Sequence, residues 1–310
     1  MFGNDLISIN DLTAENVNHL LELALKVKAS PEKYEDALVN HTMAMIFEKP
    51  SLRTRVSFEA GMTQLGGHAI YLGPSDISLG KRESVPDIAR TLDRMVDVIM
   101  ARTFSHESVL KLAEYAQAPV INGLSDLLHP CQALADFQTI LEKKGRLEGL
   151  ALAFVGDGNN VAHSLMNCGA KTGVNVRVVC PEGFDPNPDM VAQANEAGKA
   201  TGAVMTVTHD LVEGVSGADV VYTDVWASMG QEAEAEKRKA IFRPFQVNAA
   251  LMAKAKEDAI FMHCLPAHRG DEVTDEVIDS WQSVVFDEAE NRLHAQKAVI
   301  LSLMVEGDLE

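Results

Sequence analysis

Residues 42–65 read TMAMIFEKPSLRTRVSFEAGMTQL. The first six are apolar or small and do not alternate with polar residues, the pattern of a strand covered on both faces. Pro50 disfavours helix at the residue before it, and Ser51 is a good N-cap. Phe58, Met62 and Leu65 then fall at i, i+4 and i+7, on one helix face. The stretch is a strand, a short turn and a helix that begins close to Ser51.

The same unit recurs along the chain. Further strands are expected at Ala69–Leu72, Val96–Ala101 and Pro119–Asn122. A second set is expected at Ala151–Val155, Val174–Cys180, Ala203–Val207, Val220–Tyr222, Ile260–Cys264 and Val284–Phe286. Strands separated by helical segments predict βαβ units and parallel sheets. The expected fold class is α/β: two doubly wound domains with parallel sheets, joined by interdomain helices. The first domain is expected over residues 1–135 and the second over 136–288. Phe137, Ile140 and Leu141 give Asp136–Leu147 the spacing of a linking helix. Ala295, Ala298, Val299 and Leu303 give the same spacing to a last helix, within 289–310, expected to pack back on the first domain.

The 310 residues carry a formal net charge of −18. That excludes nucleic acid and anionic membrane as partners for the bulk surface. An anionic small molecule must then be held by specific local arginines. No apolar run approaches the ~20 residues that span a bilayer, and Met1–Ser30 does not read as a signal peptide. The expected location is cytoplasmic. Cys131, Cys168, Cys180 and Cys264 are scattered with no C-x-x-C pair, so neither a zinc ribbon nor a disulfide scaffold is indicated. No close cluster of His, Cys and carboxylates stands at ligand spacing, and no catalytic metal or cofactor is expected.

A helix N-terminus presents unpaired N–H groups and a partial positive charge, which suits phosphate. Ser51 and Thr54 add hydroxyls. Arg53 and Arg55 add forked, permanently charged donors. A capped helix with two surface arginines is the plainer reading, but this density of donors at a strand-to-helix turn favours a phosphate cradle.

S-x-R-T-R after F-E-K-P resembles the carbamoyl phosphate motif of the aspartate and ornithine carbamoyltransferases. His129-Pro130-Cys131-Gln132 is similar to the family's H-P-x-Q, and Arg102 ends a strand. Asp224-Val225-Trp226-Ala227-Ser228-Met229-Gly230 resembles the ornithine-type D-x-W-x-S-M-G loop. His263-Cys264-Leu265-Pro266 and Glu290-Asn291-Arg292 complete the set, in family order from residue 47 to residue 292.

The resemblance implies transfer of the carbamoyl group of carbamoyl phosphate to the side-chain amine of L-ornithine. It implies that Ser51, the backbone of Leu52, Arg53, Thr54 and Arg102 hold the phosphate end. Leu52 replaces a frequent threonine, losing a hydroxyl but keeping its N–H. Arg53, Thr54, His129 and Arg292 are implied at the carbonyl oxygen. Gln132 and the backbone carbonyl of Cys264 or Leu265 are implied at the carbamoyl amide. Asn160, Asp224, Ser228 and Met229 are implied at ornithine. Ser78, with Lys81 and Arg82 as alternatives, is implied to reach a neighbouring subunit's site, and Glu83 could instead pair with a cradle arginine. The implied assembly is a homo-oligomer, a trimer or an assembly of trimers.

An aspartate-type site usually carries H-P-L-P; here Cys264 stands in place of the first proline, and Asp224 is a carboxylate suited to an ammonium group. Both point to an amino acid with a cationic side chain. Gly156-Asp157-Gly158-Asn159-Asn160 is glycine-rich after a strand, but Val161 breaks the G-x-G-x-x-G dinucleotide pattern. An ornithine side-chain amine with a lysine-like pKa of about 10.4 is neutral in only about one molecule in a thousand at pH 7.4. Asp224 and Cys264, the latter by a relay with His263 or only through its backbone, are the candidates for handling that proton. His163 is read as a helix residue. Putrescine or acetylornithine as acceptor, or a non-catalytic relative, are the alternative readings.

Overall fold

The strand read at residues 42–47 is an inner strand of a parallel sheet in the computed structural model, which describes residues 1–227 and 234–307. The chain divides into two units, Met1–Gln138 with Glu290–Glu310, and Thr139–Ala289.

In the first unit β1 (Thr42–Phe47), β2 (His68–Leu72), β3 (Val98–Arg102) and β4 (Val120–Leu124) lie in the order β2-β1-β3-β4, all parallel. Every residue of β3, and every residue of β1 after Thr42, is buried. Continuous apolar runs are what two covered faces require. Ala44, Ile46, Ile99 and Ala101 pack with Ile88, Val109 and Leu112 of the helices Val85–Leu92 and His106–Tyr115. Each large aliphatic side chain buried in this way contributes about 1.5–3 kcal/mol.

In the second unit β5 (Ala151–Val155), β6 (Asn175–Val179), β7 (Met205–Thr208), β8 (Val220–Thr223) and β9 (Ile260–His263) lie in the order β7-β6-β5-β8-β9, again all parallel. Val155, Val221 and Phe261 share a core with Leu251, Val277 and Ile278.

Both orders reverse direction once. In the first sheet the reversal falls between β1 and β3; in the second, between β5 and β8. Open α/β sheets bind ligands outside the carboxyl ends of the strands at such a point. The residues that follow β1 and end β3 are therefore one candidate site, and those that follow β5 and β8 are another.

The strands expected from sequence are present with ends displaced by a residue or two, except one. Val284–Phe286 is not a strand: it opens the helix Val285–Met304. Phe261 makes a single bridge to Ser283, and the chain then turns helical. Asp287 and Glu288 in the first turn favour the helix by meeting its positive end. Three β-prone residues were too few to reveal this. The helix expected over Asp136–Leu147 starts earlier and runs Pro130–Lys144. Proline is well suited to the first turn, and Gly145, at φ 70°, ends the helix. Within Gln231–Lys239, expected as a solvated loop or helix face, residues 234–239 are described, and the helix Ala235–Phe242 covers their greater part. Among the described residues no helix is long and apolar enough to cross a membrane.

Candidate active site

At the first reversal the turn after β1 delivers Ser51, whose side chain caps the helix Leu52–Gln64 by accepting from the Thr54 N–H at 3.3 Å. Thr54 is buried, and its Oγ1 accepts from Arg102 Nη1 and Arg292 Nη2, both at 3.3 Å. Arg102 ends β3 directly beside Phe47, its register partner in β1. Arg292 also donates through Nη1 to Gln132 Oε1 at 2.6 Å, and Gln132 Nε2 donates to Asp136 Oδ1 at 2.8 Å. The buried His129 lies in the field of Arg292, Arg102 and Arg53. Burial first, and those charges after it, hold its pKa well below the usual 6.5. At neutral pH it is an uncharged imidazole that can donate one N–H to a carbonyl oxygen. Guanidinium groups gathered on one hydroxyl repel each other, and an anion among them offsets that repulsion.

At the second reversal the charge is opposite. Thr223 of β8 and His263 of β9 are register partners, so Asp224 and Cys264 leave the sheet side by side. Cys264 Sγ donates to Asp224 Oδ1 at 3.1 Å, and the Val225 N–H donates to the same oxygen at 2.8 Å. Asp224 Oδ2 accepts from Asn159 Nδ2 at 2.9 Å. Asn159 also caps the helix Asn160–Thr172: its Oδ1 accepts from the N–H groups of Val161 and Ala162. Both ends of one amide are used, so aspartate, which only accepts, does not replace it. Asp157 lies nearby, paired with Arg238 at 2.6 Å. Burial raises its pKa, Arg238 opposes that, and Asp224 adds a smaller upward push. Gly158 is required here, because a Cβ would meet the backbone nitrogen of Pro186 at 2.1 Å. Leu265 takes a left-handed φ of 54° as the chain leaves β9, a conformation uncommon outside glycine.

Two family models cover the chain. Residues 4–142 match the carbamoyl-P binding domain of aspartate/ornithine carbamoyltransferase, and residues 148–303 match its Asp/Orn binding domain. The chain belongs to the aspartate/ornithine carbamoyltransferase family. An ornithine carbamoyltransferase of Thermococcus kodakarensis is 57% identical over 304 residues, 97% of this chain and 96% of that protein. The solved ornithine carbamoyltransferase of Pyrococcus furiosus superposes with a TM-score of 0.96 at 55% identity, covering 99% of both chains. That of Giardia lamblia superposes at 0.90 with 39% identity, again covering 99% of both.

Within this carbamoyltransferase chain the structure gathers Ser51, Arg53, Thr54, Arg102, His129, Gln132 and Arg292 around the first reversal. Leu52 is exposed at the helix start, where its backbone N–H is one of those a helix leaves without an intrahelical partner. Arg55, expected in the cradle, is turned elsewhere: it pairs with Glu59 at 3.0 Å and lies over the Tyr71 ring. One residue beyond Thr54 is about 100° further round a helix, which carries it off that face. Asp224 and Cys264 meet at the second reversal. There Asn159 contacts Asp224, and Asn160, expected at ornithine, is the first residue of the helix that Asn159 caps. The His263 relay is not built. Its Nδ1 accepts from the Leu265 N–H at 2.9 Å, which leaves the ring proton on Nε2 to meet Glu272 at 3.1 Å. Ser228 and Met229 lie outside the described residues. Ser78 is exposed in the loop after β2, where its carbonyl accepts from Lys81 and Arg82. Asp157 and Arg238 were missed in the sequence because 81 residues separate them.

Proposed function

We propose that the protein transfers the carbamoyl group of carbamoyl phosphate to the side-chain amine of L-ornithine, giving L-citrulline and phosphate. The observation that carries this reading is the pairing of two reversals of opposite charge in one chain of this family: arginines about a neutral His129, and Asp224 held by Asn159 and Cys264.

In this reading the first unit is the carbamoyl phosphate domain. The helix N-terminus at Ser51, the N–H of Leu52, Arg53, Thr54 and Arg102 take the phosphate oxygens. His129, Arg53, Thr54 and Arg292 face the carbonyl oxygen, where negative charge grows as the tetrahedral intermediate forms; donors fixed in place before the reaction stabilise it most. Gln132 Oε1 and the backbone carbonyls of Cys264 or Leu265 accept from the carbamoyl NH2. The second unit is the ornithine domain. Asp224 receives the side-chain ammonium, and Asn160, Ser228 and Met229 hold the α-end.

The amine must lose a proton before it attacks. At pH 7.4 that costs free ornithine roughly 4 kcal/mol. The Cys264 thiol already donates to Asp224, and forming a thiolate beside a carboxylate is unfavourable. Asp224 is therefore the proton acceptor, and Cys264 orients it. The N–C bond forms first, as the carbonyl π pair moves onto oxygen; the intermediate then collapses, the C–O bond to phosphate breaks, and phosphate carries away the electron pair.

The assembly is a trimer or a set of trimers in the cytoplasm, with Ser78 the residue that reaches a neighbouring subunit's site. Putrescine lacks the α-carboxylate that Asn160 and the 228–230 segment take. Carbamoylation assays with ornithine, putrescine and N-acetylornithine test the reading. Ornithine is expected to exceed both in kcat/KM by about a hundredfold or more, the discrimination that unpaired polar groups impose. A faster reaction with either of the others, or no turnover with any, overturns it.

A further inference from the structure

Outside both reversals, the carboxyl ends of β6 and β7 bring together a thiol, a carboxylate and an imidazole. Val179 and Thr208 are register partners, so Cys180 and His209 leave the sheet side by side. Asp185 approaches from the loop that follows β6. The ligand atoms of Cys180, Asp185 and His209 lie within 4.8 Å of one another. Cys180 Sγ is 3.9 Å from Asp185 Oδ1, and His209 Nε2 is 3.5 Å from the same oxygen.

We infer that Cys180, Asp185 and His209 form a three-ligand site for a divalent transition metal of the zinc class, with solvent as the fourth ligand. A tetrahedral zinc ion with bonds of about 2.3 Å to sulfur and about 2.0 Å to nitrogen and oxygen sets S···O near ~3.5 Å and N···O near ~3.3 Å. Those two observed separations, 3.9 and 3.5 Å, need to close by only a few tenths of an ångström, and the sulfur and the ring nitrogen lie within 4.8 Å of each other. The imidazole is already oriented. His209 Nδ1 donates to the Cys180 carbonyl at 2.8 Å, which fixes its proton there and turns the Nε2 lone pair toward Asp185. A metal-binding histidine is commonly held by its other nitrogen in this way.

The cluster Asp224, His263 and Cys264 has similar spacing but not this property, because both ring nitrogens of His263 are engaged. Cys180 is buried, whereas Asp185 and His209 are nearly half exposed, which leaves an entry path. When the metal binds, the Cys180 proton passes to solvent as the Sγ–metal bond forms.

The loop that supplies Asp185 also backs the second reversal: the Phe184 carbonyl accepts from the Gly158 N–H at 2.9 Å. A bound ion ties that loop to both strand ends and stiffens the support of Asn159.

The test is calorimetric titration of the full-length, metal-stripped protein with Zn2+, with Co2+ as a spectroscopic probe. Cys180→Ser and His209→Gln are each expected to weaken one equivalent of Zn2+ by about tenfold or more, with unchanged circular dichroism. Cys264→Ser is expected to leave that equivalent in place. The thiolate-to-Co2+ charge-transfer band is expected to disappear in Cys180→Ser and persist in Cys264→Ser. The inference fails if wild type takes up no Zn2+, if both first variants bind as wild type does, or if Cys264→Ser alone abolishes binding. His209 makes one side-chain hydrogen bond here and is half exposed, so His209→Gln decides the matter even if Cys180→Ser does not fold.

Discussion

The two sheets solve one topological problem with opposite charges. Each reverses its strand order once, and each puts its polar side chains at the carboxyl ends beside that reversal. At the β1/β3 reversal the chain supplies Arg53, Arg102 and Arg292, and burial first, then their field, keeps His129 neutral. At the β5/β8 reversal it supplies Asp224, whose two oxygens accept from Asn159, Val225 and Cys264. In the proposed function the same architecture accepts a phosphorylated anion in one half and an ammonium group in the other. The sheet sets where a ligand binds, and the few residues just past the strand ends set which charge it carries.

If the first reversal is the anion site, the largest loss comes from Arg292→Ala. It removes a buried donor to both Thr54 and Gln132, and kcat/KM is expected to fall by up to about a thousandfold. Steady-state kinetics with both substrates checks this, and a change under tenfold breaks the cationic half of the comparison. Asp224→Asn tests the other half. It keeps the shape but removes the charge, and the KM for ornithine is expected to rise roughly tenfold to a hundredfold, as for loss of a hydrogen bond to a charged group. The KM for carbamoyl phosphate is expected to stay within about twofold. Asn159→Ser sharpens the second half further. Serine still caps the helix, but its single short oxygen does not extend to Asp224 as the separate amide nitrogen does, so the ornithine KM is expected to rise by about threefold to tenfold.

The smallest effect concerns stability. The folded pKa of His129 is depressed by burial and then by Arg292, Arg102 and Arg53. Its contribution to stability is then fully present above the unfolded value near 6.5, declines as pH falls below it, and is gone beneath the folded value. Urea melts of wild type and His129→Gln at pH 7.5 and 5.5 are expected to show the wild-type advantage shrinking by roughly 1 kcal/mol at the lower pH. An advantage that grows on acidification contradicts a neutral buried imidazole.

Much of the cationic half was legible because its chemistry is local. Ser51, Arg53 and Thr54 lie within four residues of one strand-to-helix turn, and a cap can be read from residue type. Which face each arginine takes is a matter of helical angle and packing, and Arg55 left the cradle for Glu59 and Tyr71. The anionic half depends on neighbours across the sheet. Asp224 meets Cys264 because β8 and β9 pair in a given register, and Asn159 meets Asp224 across β5 and β8. The part Asn159 plays beside Asp224 shows only once the N-cap is seen. The cluster of Cys180, Asp185 and His209 was invisible for the same reason: 29 residues separate its ends, and only the β6–β7 register brings them together. Val284–Phe286 was misread because its few β-prone residues sit at a helix start whose acidic first turn outweighs them.

The opposite charges of the two reversals are tested most directly by equilibrium titration of carbamoyl phosphate alone, and of ornithine with a non-reactive phosphate donor analogue bound first, into wild type, Arg292→Ala and Asp224→Asn. Arg292→Ala is expected to lose affinity for carbamoyl phosphate while Asp224→Asn retains it, and Asp224→Asn is expected to lose ornithine when the analogue is saturating. Equal losses of both ligands in both variants contradict the account.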